Sequence, residues 1–354
     1  MNALIVLFVL VLLISVSFFT IVLLFGSKDH SAYDFPRPIT TGVRTCESDE
    51  HKRAVKSIIE DRSNTPRLHF RERLQRMREQ MNERGAAFRV NADFRSVEFD
   101  GVKAEWVMAP RSNPNKRLLY IHGGAYMVGS PKSHRLITSR LSEVSNSAVL
   151  AVDYRLMPEH SRMAGVEDCR RAYVWLLENG PDGCSEAETL VVAGDSSGGN
   201  IVLSVVAWVR DSGLRAADAV VAFSPQTDLT LSSPSLRKNI DTDVMQGESF
   251  GPVVKAPKAF ALLFSFLMHK INPSHPVVSP LLGGLSNLPP TLIQASETEM
   301  FLDDAVRYVN KAKASGSIAY LQTWPSMLHV WHAFQIPEAD EAFEEIGVFL
   351  GEYA

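Results

Sequence analysis

Residues 189–209 read TLVVAGDSSGGNIVLSVVAWV. An apolar strand-like run, TLVVA, enters a five-residue turn, Gly194-Asp195-Ser196-Ser197-Gly198, and a long apolar helical run leaves it. A turn this tight between strand and helix needs small residues two before and two after its centre. Gly194 and Gly198 supply them. The central Ser196 is then lifted above the strand ends as a candidate nucleophile. Ser197 offers its backbone N–H at the start of the helix, where the helix dipole favours negative charge. The bland alternative is an ordinary glycine-rich turn, and the flanking strand and helix weigh against it.

Working outward, the chain alternates strands and helices from residue 94. Ser96 to Phe99 and Val102 to Met108 flank Asp100-Gly101, a hairpin signal. Further strands are expected at Arg117 to Ile121, Ala148 to Val152, Leu190 to Ala193, Ala219 to Phe223, Leu292 to Ala295 and Ile318 to Leu321. Helices are expected over 131–146, 164–178, 199–209, 303–314 and 339–350. This alternation predicts an α/β fold with a mostly parallel sheet covered on both faces. Residues 229 to 276 break the pattern, and with residues 45 to 90 they form a candidate lid. The expected division is 1–27 anchor, 28–92 basic linker and N-terminal cap helices, and 93–354 catalytic domain.

A second motif, His122-Gly123-Gly124-Ala125, follows the strand LLYI. Acyl transfer develops an oxyanion, and one preset N–H donor is typically worth roughly 2.7 to 4 kcal/mol. The hole would use the N–H groups of Gly124 and Ala125, with Gly123 a further candidate, and that of Ser197. His122 reads as a brace for this loop. A base and an acid must follow in the order serine, acid, histidine. His269, His275, His329 and His332 lie downstream. His329 comes shortly after the last strand and is the candidate base. His332 reads as packing on the following helix, and His269 and His275 belong to the lid. For the acid, Asp303 and Asp304 read as helix-start residues. Glu297 and Glu299 remain on the loop, and spacing alone does not separate them.

These blocks, HGGAYMVGSPKSHR, VDYRLMPEH, GDSSGGN, SPQTDL, ETEMFLDD and HVW, run in order from about residue 97 to 334. Together they resemble the hormone-sensitive-lipase family of α/β-hydrolases. The resemblance implies an eight-stranded sheet with a helical cap. Where that family shows Asp-Pro-Leu-x-Asp, this chain has Glu299-Met300-Phe301-Leu302-Asp303, which implies Glu299 as the acid, with Ser196 as nucleophile and His329 as base. Three departures stand out. Ala125 replaces a frequent third glycine, Ser197 replaces a common alanine, and Ser161-Arg162-Met163-Ala164 replaces a Pro-Phe-Pro-Ala run. The last affects the local loop and no catalytic atom. The implied reaction is ester hydrolysis through an acyl-enzyme, with a small-molecule ester as substrate and no metal or organic cofactor. A lactonase, a deacetylase or a non-catalytic ligand receptor on the same scaffold are the alternatives.

Residues 3 to 25, ALIVLFVLVLLISVSFFTIVLLF, hold no charge. A helix of this length spans about 35 Å, enough for a hydrocarbon core of about 30 Å. A single-pass N-terminal anchor, with membrane lipid as partner, is the expectation. Lys28, Arg37 and Arg44 follow it, so the positive-inside rule favours a cytoplasmic domain. An extracytoplasmic or lumenal domain is the alternative. Residues 51 to 84 carry ten Lys or Arg against five Asp or Glu. A solvated face on cap helices explains this charge, and a contact with anionic lipid is the sharper alternative. Over the whole 354-residue chain, 36 Lys plus Arg oppose 40 Asp plus Glu, for a net charge of −4. That balance excludes a strongly basic nucleic-acid binder. The mean hydropathy of −0.02 averages an extreme N-terminus and a polar body. Three cysteines, Cys46, Cys169 and Cys184, cannot frame a disulfide scaffold. Oligomeric state is not legible in the sequence.

Overall fold

The computed structural model describes residues 15–37, 40–42, 47–63 and 69–354, with side chains 61–63 left aside. The elements that build the domain are α1 (Asp49–Ser63), α2 (Phe70–Ala87), β1 (Asp93–Phe99), β2 (Val102–Met108), β3 (Asn113–Ile121), α3 (Arg135–Ser145), β4 (Ser147–Asp153) and α4 (Arg162–Glu178). They continue with β5 (Thr189–Asp195), α5 (Ser197–Asp211), β6 (Ala219–Phe223), α6 (Gly247–Lys255), α7 (Lys258–His269), β7 (Thr291–Ser296), α8 (Leu302–Ala314), β8 (Ala319–Trp324) and α9 (Pro337–Tyr353). The sheet order is β1-β2-β4-β3-β5-β6-β7-β8. β1 and β2 pair antiparallel, β2 pairs antiparallel with β4, and the remaining pairs are parallel. At the hairpin, Asp100 (φ 48°) and Gly101 (φ 72°) both take the left-handed conformation that its two-residue turn requires.

The period-2 pattern of the strands sorts the core into two layers. Leu119 and Ile121 of β3, Leu150 and Val152 of β4 and Leu190 and Val192 of β5 face α4, α5 and α8. Leu118 and Tyr120, Val149 and Ala151, and Val191 and Ala193 face α3 and α9. α5 has no charge before Arg210 and is buried through most of its length, as an element pressed on the sheet centre must be. α9 starts with Pro337 and carries Glu338 and Asp340 in its first turn, which suits the dipole.

The sequence placed most elements to within a few residues. The expected helix over 131–146 divides into a short 3-10 turn at Lys132–His134 followed by α3. In the basic N-terminal region, Ile58 and Leu74 are buried. The apolar residues Ile58, Phe70, Leu74, Met77 and Met81 are spaced as in amphipathic helices, but Phe70 and Met77 are exposed, so this apolar face is only partly used. Most charges of α1 and α2 face solvent, consistent with a solvated face. Arg78 ties α2 to the rest through Met127 O (2.8 Å), Met157 O (3.0 Å) and a two-pronged bond to Glu159. Cys46, Arg44 and Leu68 lie outside the described residues; Cys169 is buried and Cys184 exposed, both as free thiols.

Most of the expected anchor, residues 3–14, lies outside the described residues. Residues 15–25 are helical. Among the described residues no helix is long and apolar enough to cross a membrane. The end of this helical segment meets residues of the 229–276 stretch: Phe25 stacks on Phe266 of α7 at 4.6 Å, and Asn272 donates to Leu24 O at 2.9 Å.

Phe343 is 1% exposed and sits between α9 and Phe223 at the sheet. Phe343→Ala should cost roughly 3–5 kcal/mol. Urea unfolding should show a lower midpoint with an unchanged slope.

Candidate active site

β5 ends at Asp195 and α5 begins at Ser197, so the chain reverses within one residue. Ser196 absorbs this with φ 51° and ψ −117°, a conformation that costs a non-glycine residue on the order of 1–3 kcal/mol. Its N–H donates to Phe223 O at 2.7 Å, which ties the turn to β6. The neighbouring glycines are sterically required. A Cβ on Gly194 would lie 2.5 Å from Ile121 O, and one on Gly198 would lie 2.0 Å from the same oxygen. The close approach these glycines allow seats the first turn of α5 against the end of β3, where the His122 loop begins.

The loop after β8 brings His329 to this serine. Nε2 of His329 is 2.9 Å from Ser196 Oγ, and Nδ1 is 2.6 Å from Glu299 Oε2. The other carboxylate oxygen, Oε1, accepts the Ser296 N–H at 3.0 Å. Asn239, from the lid segment, donates to the carbonyls of Glu297 (3.1 Å) and Glu299 (2.9 Å) and fixes the acid loop. His329 and Glu299 are both buried. Burial pulls the imidazole pKa down, but the Glu299 hydrogen bond and charge outweigh it, and the net shift is above 6.5. Burial pushes the Glu299 carboxyl up, and its bond to His329 opposes this only in part.

The two glutamates that spacing left open are separated by orientation. The Glu297 carboxylate bonds the hydroxyls of Thr40 and Thr323 and does not approach His329. Asp303 and Asp304 lie in the first turn of α8, as expected. They also hold the start of the 229–276 stretch: Asp303 accepts from the Ser235 N–H, and Asp304 from the N–H groups of Thr227 and Asp228 just before it. His332 bonds Gln294 Oε1 at 2.8 Å and packs on Phe223 and Phe343. His269 is in α7 and His275 in the loop after it.

The glycine loop lies beside Ser197, whose Oγ accepts the Tyr126 N–H at 3.4 Å. Gly124 (φ 117°), Ala125 (φ 53°) and Tyr126 (φ 64°) form a run of left-handed residues. Among the described residues, the Gly124 and Ala125 N–H groups donate to no acceptor. Gly123 corrects the sequence reading. Its N–H donates to Asp195 Oδ1 at 2.8 Å, so it is not free for an oxyanion. A Cβ on Gly123 would also meet Asp195 Oδ2 at 2.1 Å, so this glycine serves clearance. His122 braces the loop: Nδ1 donates to Gly123 O at 2.7 Å, and the ring stacks on Tyr154 at 4.4 Å. Burial holds it at a pKa of about 3, hence neutral.

Sequence reasoning assigned no role to Asp195, Tyr120 or His134. Asp195 Oδ1 also accepts from Tyr120 OH at 2.5 Å and lies 3.5 Å from His134 Nε2. All three groups are buried. Burial pushes the Asp195 carboxyl up, but His134 and the donors outweigh it and hold it at about 2. His134 is raised, burial opposing and Asp195 prevailing. Both residues stand inside quoted blocks, yet no local pattern marks them as partners 61 positions apart.

The family of proteins described as having the alpha/beta hydrolase fold matches residues 118–333. A solved esterase of the bacterial hormone-sensitive lipase family superposes with a TM-score of 0.74 at 32% identity, covering 87% of this chain and 99% of that one. This chain belongs to the hormone-sensitive-lipase family of α/β-hydrolases. Within the family it is similar to the acetyl-hydrolase of Streptomyces hygroscopicus, 35% identical over 250 residues, 70% of this chain and 79% of that protein. It is also similar to the esterase LipU of Mycobacterium tuberculosis (strain ATCC 25618 / H37Rv), 33% identical over 255 residues, 71% of this chain and 82% of that protein. The esterase EstE5, in a crystal soaked with p-nitrophenyl butyrate, is 34% identical with a TM-score of 0.73, covering 86% and 98% of the two chains.

The Asp195–His134 pair makes a pH-dependent contribution to stability. Asp195, held at about 2, stabilises the fold above 3.8, and this is lost as pH falls through its folded value. His134, raised from 6.5, stabilises the fold below 6.5, and this is lost as pH rises through its folded value. Asp195→Asn should therefore lower stability most in mildly acidic solution, and the gap to wild type should narrow on the alkaline side. Urea unfolding at about pH 5.5 and about pH 9 checks this.

Proposed function

We propose that Ser196, His329 and Glu299 hydrolyse carboxylic esters of apolar substrates through an acyl-enzyme. The chain is a carboxylic ester hydrolase; the triad and the substrate class are the finer part of the proposal. The observation that carries it is the unbroken hydrogen-bond chain from Ser196 Oγ through His329 to Glu299. His329 Nε2 takes the serine proton as Oγ attacks the ester carbonyl. Glu299 holds the ring so that Nδ1 carries its hydrogen, and it stabilises the imidazolium that forms. The carbonyl oxygen, now negative, is received by the N–H groups of Gly124, Ala125 and Ser197. His329 then returns the proton to the leaving alcohol. Water repeats the steps on the acyl-enzyme and releases the acid.

One observation favours a second reading. The relative from Streptomyces hygroscopicus is an acetyl-hydrolase, so removal of acetyl groups fits the same machinery. The receptor alternative would leave this hydrogen-bond chain without a use. A small acyl group also suits Ala125, whose methyl narrows the entrance beside the oxyanion loop.

The reading includes a membrane-anchored enzyme. Phe18, Phe19, Leu23 and Leu24 of the N-terminal helical segment are exposed, and so are Phe260 and Leu267 of α7. The stack of Phe25 on Phe266 joins the two surfaces. An apolar surface of this kind beside a 23-residue apolar run suits esters that partition into a bilayer.

Turnover of p-nitrophenyl butyrate should fall by orders of magnitude in Ser196→Ala and Glu299→Gln, and stay near wild type in Glu297→Gln. Loss in Glu297→Gln with retention in Glu299→Gln would move the acid. The acidic limb of kcat/KM should have its midpoint above 6.5, because the base must be neutral and its pKa is raised. In a fractionation, the full chain should sediment with membranes and resist carbonate extraction. A chain lacking residues 1–27 should stay in the supernatant and remain active.

A further inference from the structure

Arg162 opens α4, with Ser161 as its N-cap. Its side chain turns into the protein and is buried. Nη2 donates to Asn200 Oδ1 at 2.6 Å. The guanidinium lies over the Tyr126 ring, 3.5 Å from its centroid. Nε and Nη1 find no partner, and among the described residues no ion pair includes Arg162. A guanidinium is buried at a large desolvation cost unless an anion accompanies it. The stacked ring compensates only in part.

The unpaired groups continue around it. Tyr126 OH, Gln226 Nε2, Ser265 Oγ and His269 Nδ1 are buried and unpartnered as well. Tyr126 and His269 are direct neighbours, and Ser265 and Gln226 join them through α7 and Asn200. The Tyr126 and His269 rings meet edge to face at 5.6 Å. Ser265 is one turn before His269 on α7. Asn200, which holds Arg162, also donates to Gln226 O at 2.6 Å. Native proteins leave few buried polar groups unsatisfied, and several together mark something missing. The missing group is an acceptor, since the unpaired arginine, tyrosine, serine and glutamine atoms are all able to donate. Water would satisfy some of these donors but would not balance the charge.

The cluster is linked to Ser196 through Asn200 and the oxyanion loop. Tyr126 directly follows the oxyanion loop, and the Asn200 N–H donates to Ser196 O at 3.1 Å. Arg162 also stands at the position where the Pro-Phe-Pro-Ala run of the resembling family carries phenylalanine.

We propose that Arg162, Tyr126 and Gln226, with Ser265 supplied by α7, form a subsite for an anionic oxygen group, so that the preferred ester carries a carboxylate near its scissile bond. This rests on the hydrolase reading and refines its substrate class. The substrate is then an amphiphile, with an apolar body and one anionic end. Arg162 keeps its Nε–H and Nη1 donors unbonded on opposite edges of the guanidinium, and either gives a carboxylate a single charge-assisted bond.

Steady-state kinetics on the full chain test it in two arms. In the acyl arm, mono-p-nitrophenyl glutarate is compared with p-nitrophenyl hexanoate. In the alcohol arm, O-butyryl glycolate is compared with ethyl butyrate. In one arm, wild type should favour the anionic ester in kcat/KM by about tenfold or more. That arm locates the carboxylate. Arg162→Met should erase the preference while changing the neutral ester by less than about threefold, and Arg162→Lys should restore part of it. Arg162→Met should also raise the melting temperature, because it removes an unpaired buried charge. Absence of any preference in wild type, or an equal loss on both esters in Arg162→Met, would overturn the subsite and leave Arg162 as a packing residue. Glutarate binding separates this from the hydrolase reading. Glutarate should raise the melting temperature of Ser196→Ala and not of Ser196→Ala/Arg162→Met, whatever the turnover. A shift in neither variant counts against the subsite, and no turnover of any ester by wild type counts against the hydrolase.

Discussion

The centre of the molecule depends on how closely the start of α5 approaches the end of β3. Gly198 makes that approach possible, because any side chain there would collide with Ile121 O and His122 O. Asp195 then bridges the gap, taking the Gly123 N–H and the Tyr120 hydroxyl while facing His134. The turn at Ser196 and the glycine loop are thereby fixed to each other by a buried charge rather than by loop stiffness. A buried carboxylate with fewer donors would cost too much to keep ionised. The strained backbone at Ser196 persists because the sheet on one side and α5 on the other leave it no alternative.

The same logic extends to the acid loop. β7 and β8 run parallel in register, so the loops after them leave the same edge of the sheet and Glu299 meets His329. Ser296 and Asn239 hold the loop from below and from the lid segment. Asp303 and Asp304 couple that lid segment to α8. The lid is thus anchored by carboxylates at a helix start, while its outer face on α7 is apolar and exposed.

Most of the fold was legible in the sequence because its causes are local. Alternating apolar runs of the right length, with Asp100-Gly101 between two of them, specify strands and a hairpin wherever the rest of the chain lies. The strand–turn–helix around Ser196 is equally local, since the glycines that permit it sit two residues away on each side. His329 was legible by chain order. The helix expected over 131–146 is shorter because Pro131 leads into the 3-10 turn at Lys132–His134 and the α-helix starts only at Arg135.

What the sequence by itself determined is therefore the chemistry offered: a serine on a tight turn, a run of loop N–H groups, a histidine after the last strand and two glutamates on one loop. What only the tertiary structure decided is which of these groups face each other. Glu297 and Glu299 are two residues apart on an irregular loop, and their directions depend on Thr323, Ser296 and His329, all brought in by folding. The Gly123 N–H looked available until Asp195, 72 positions away, was found to use it. Arg162 read as a change of loop shape, yet folding buries it against Asn200, which lies one helical turn after the serine, and gives it no anion. In each case the deciding quantity is a distance between residues remote in sequence, which local spacing does not encode.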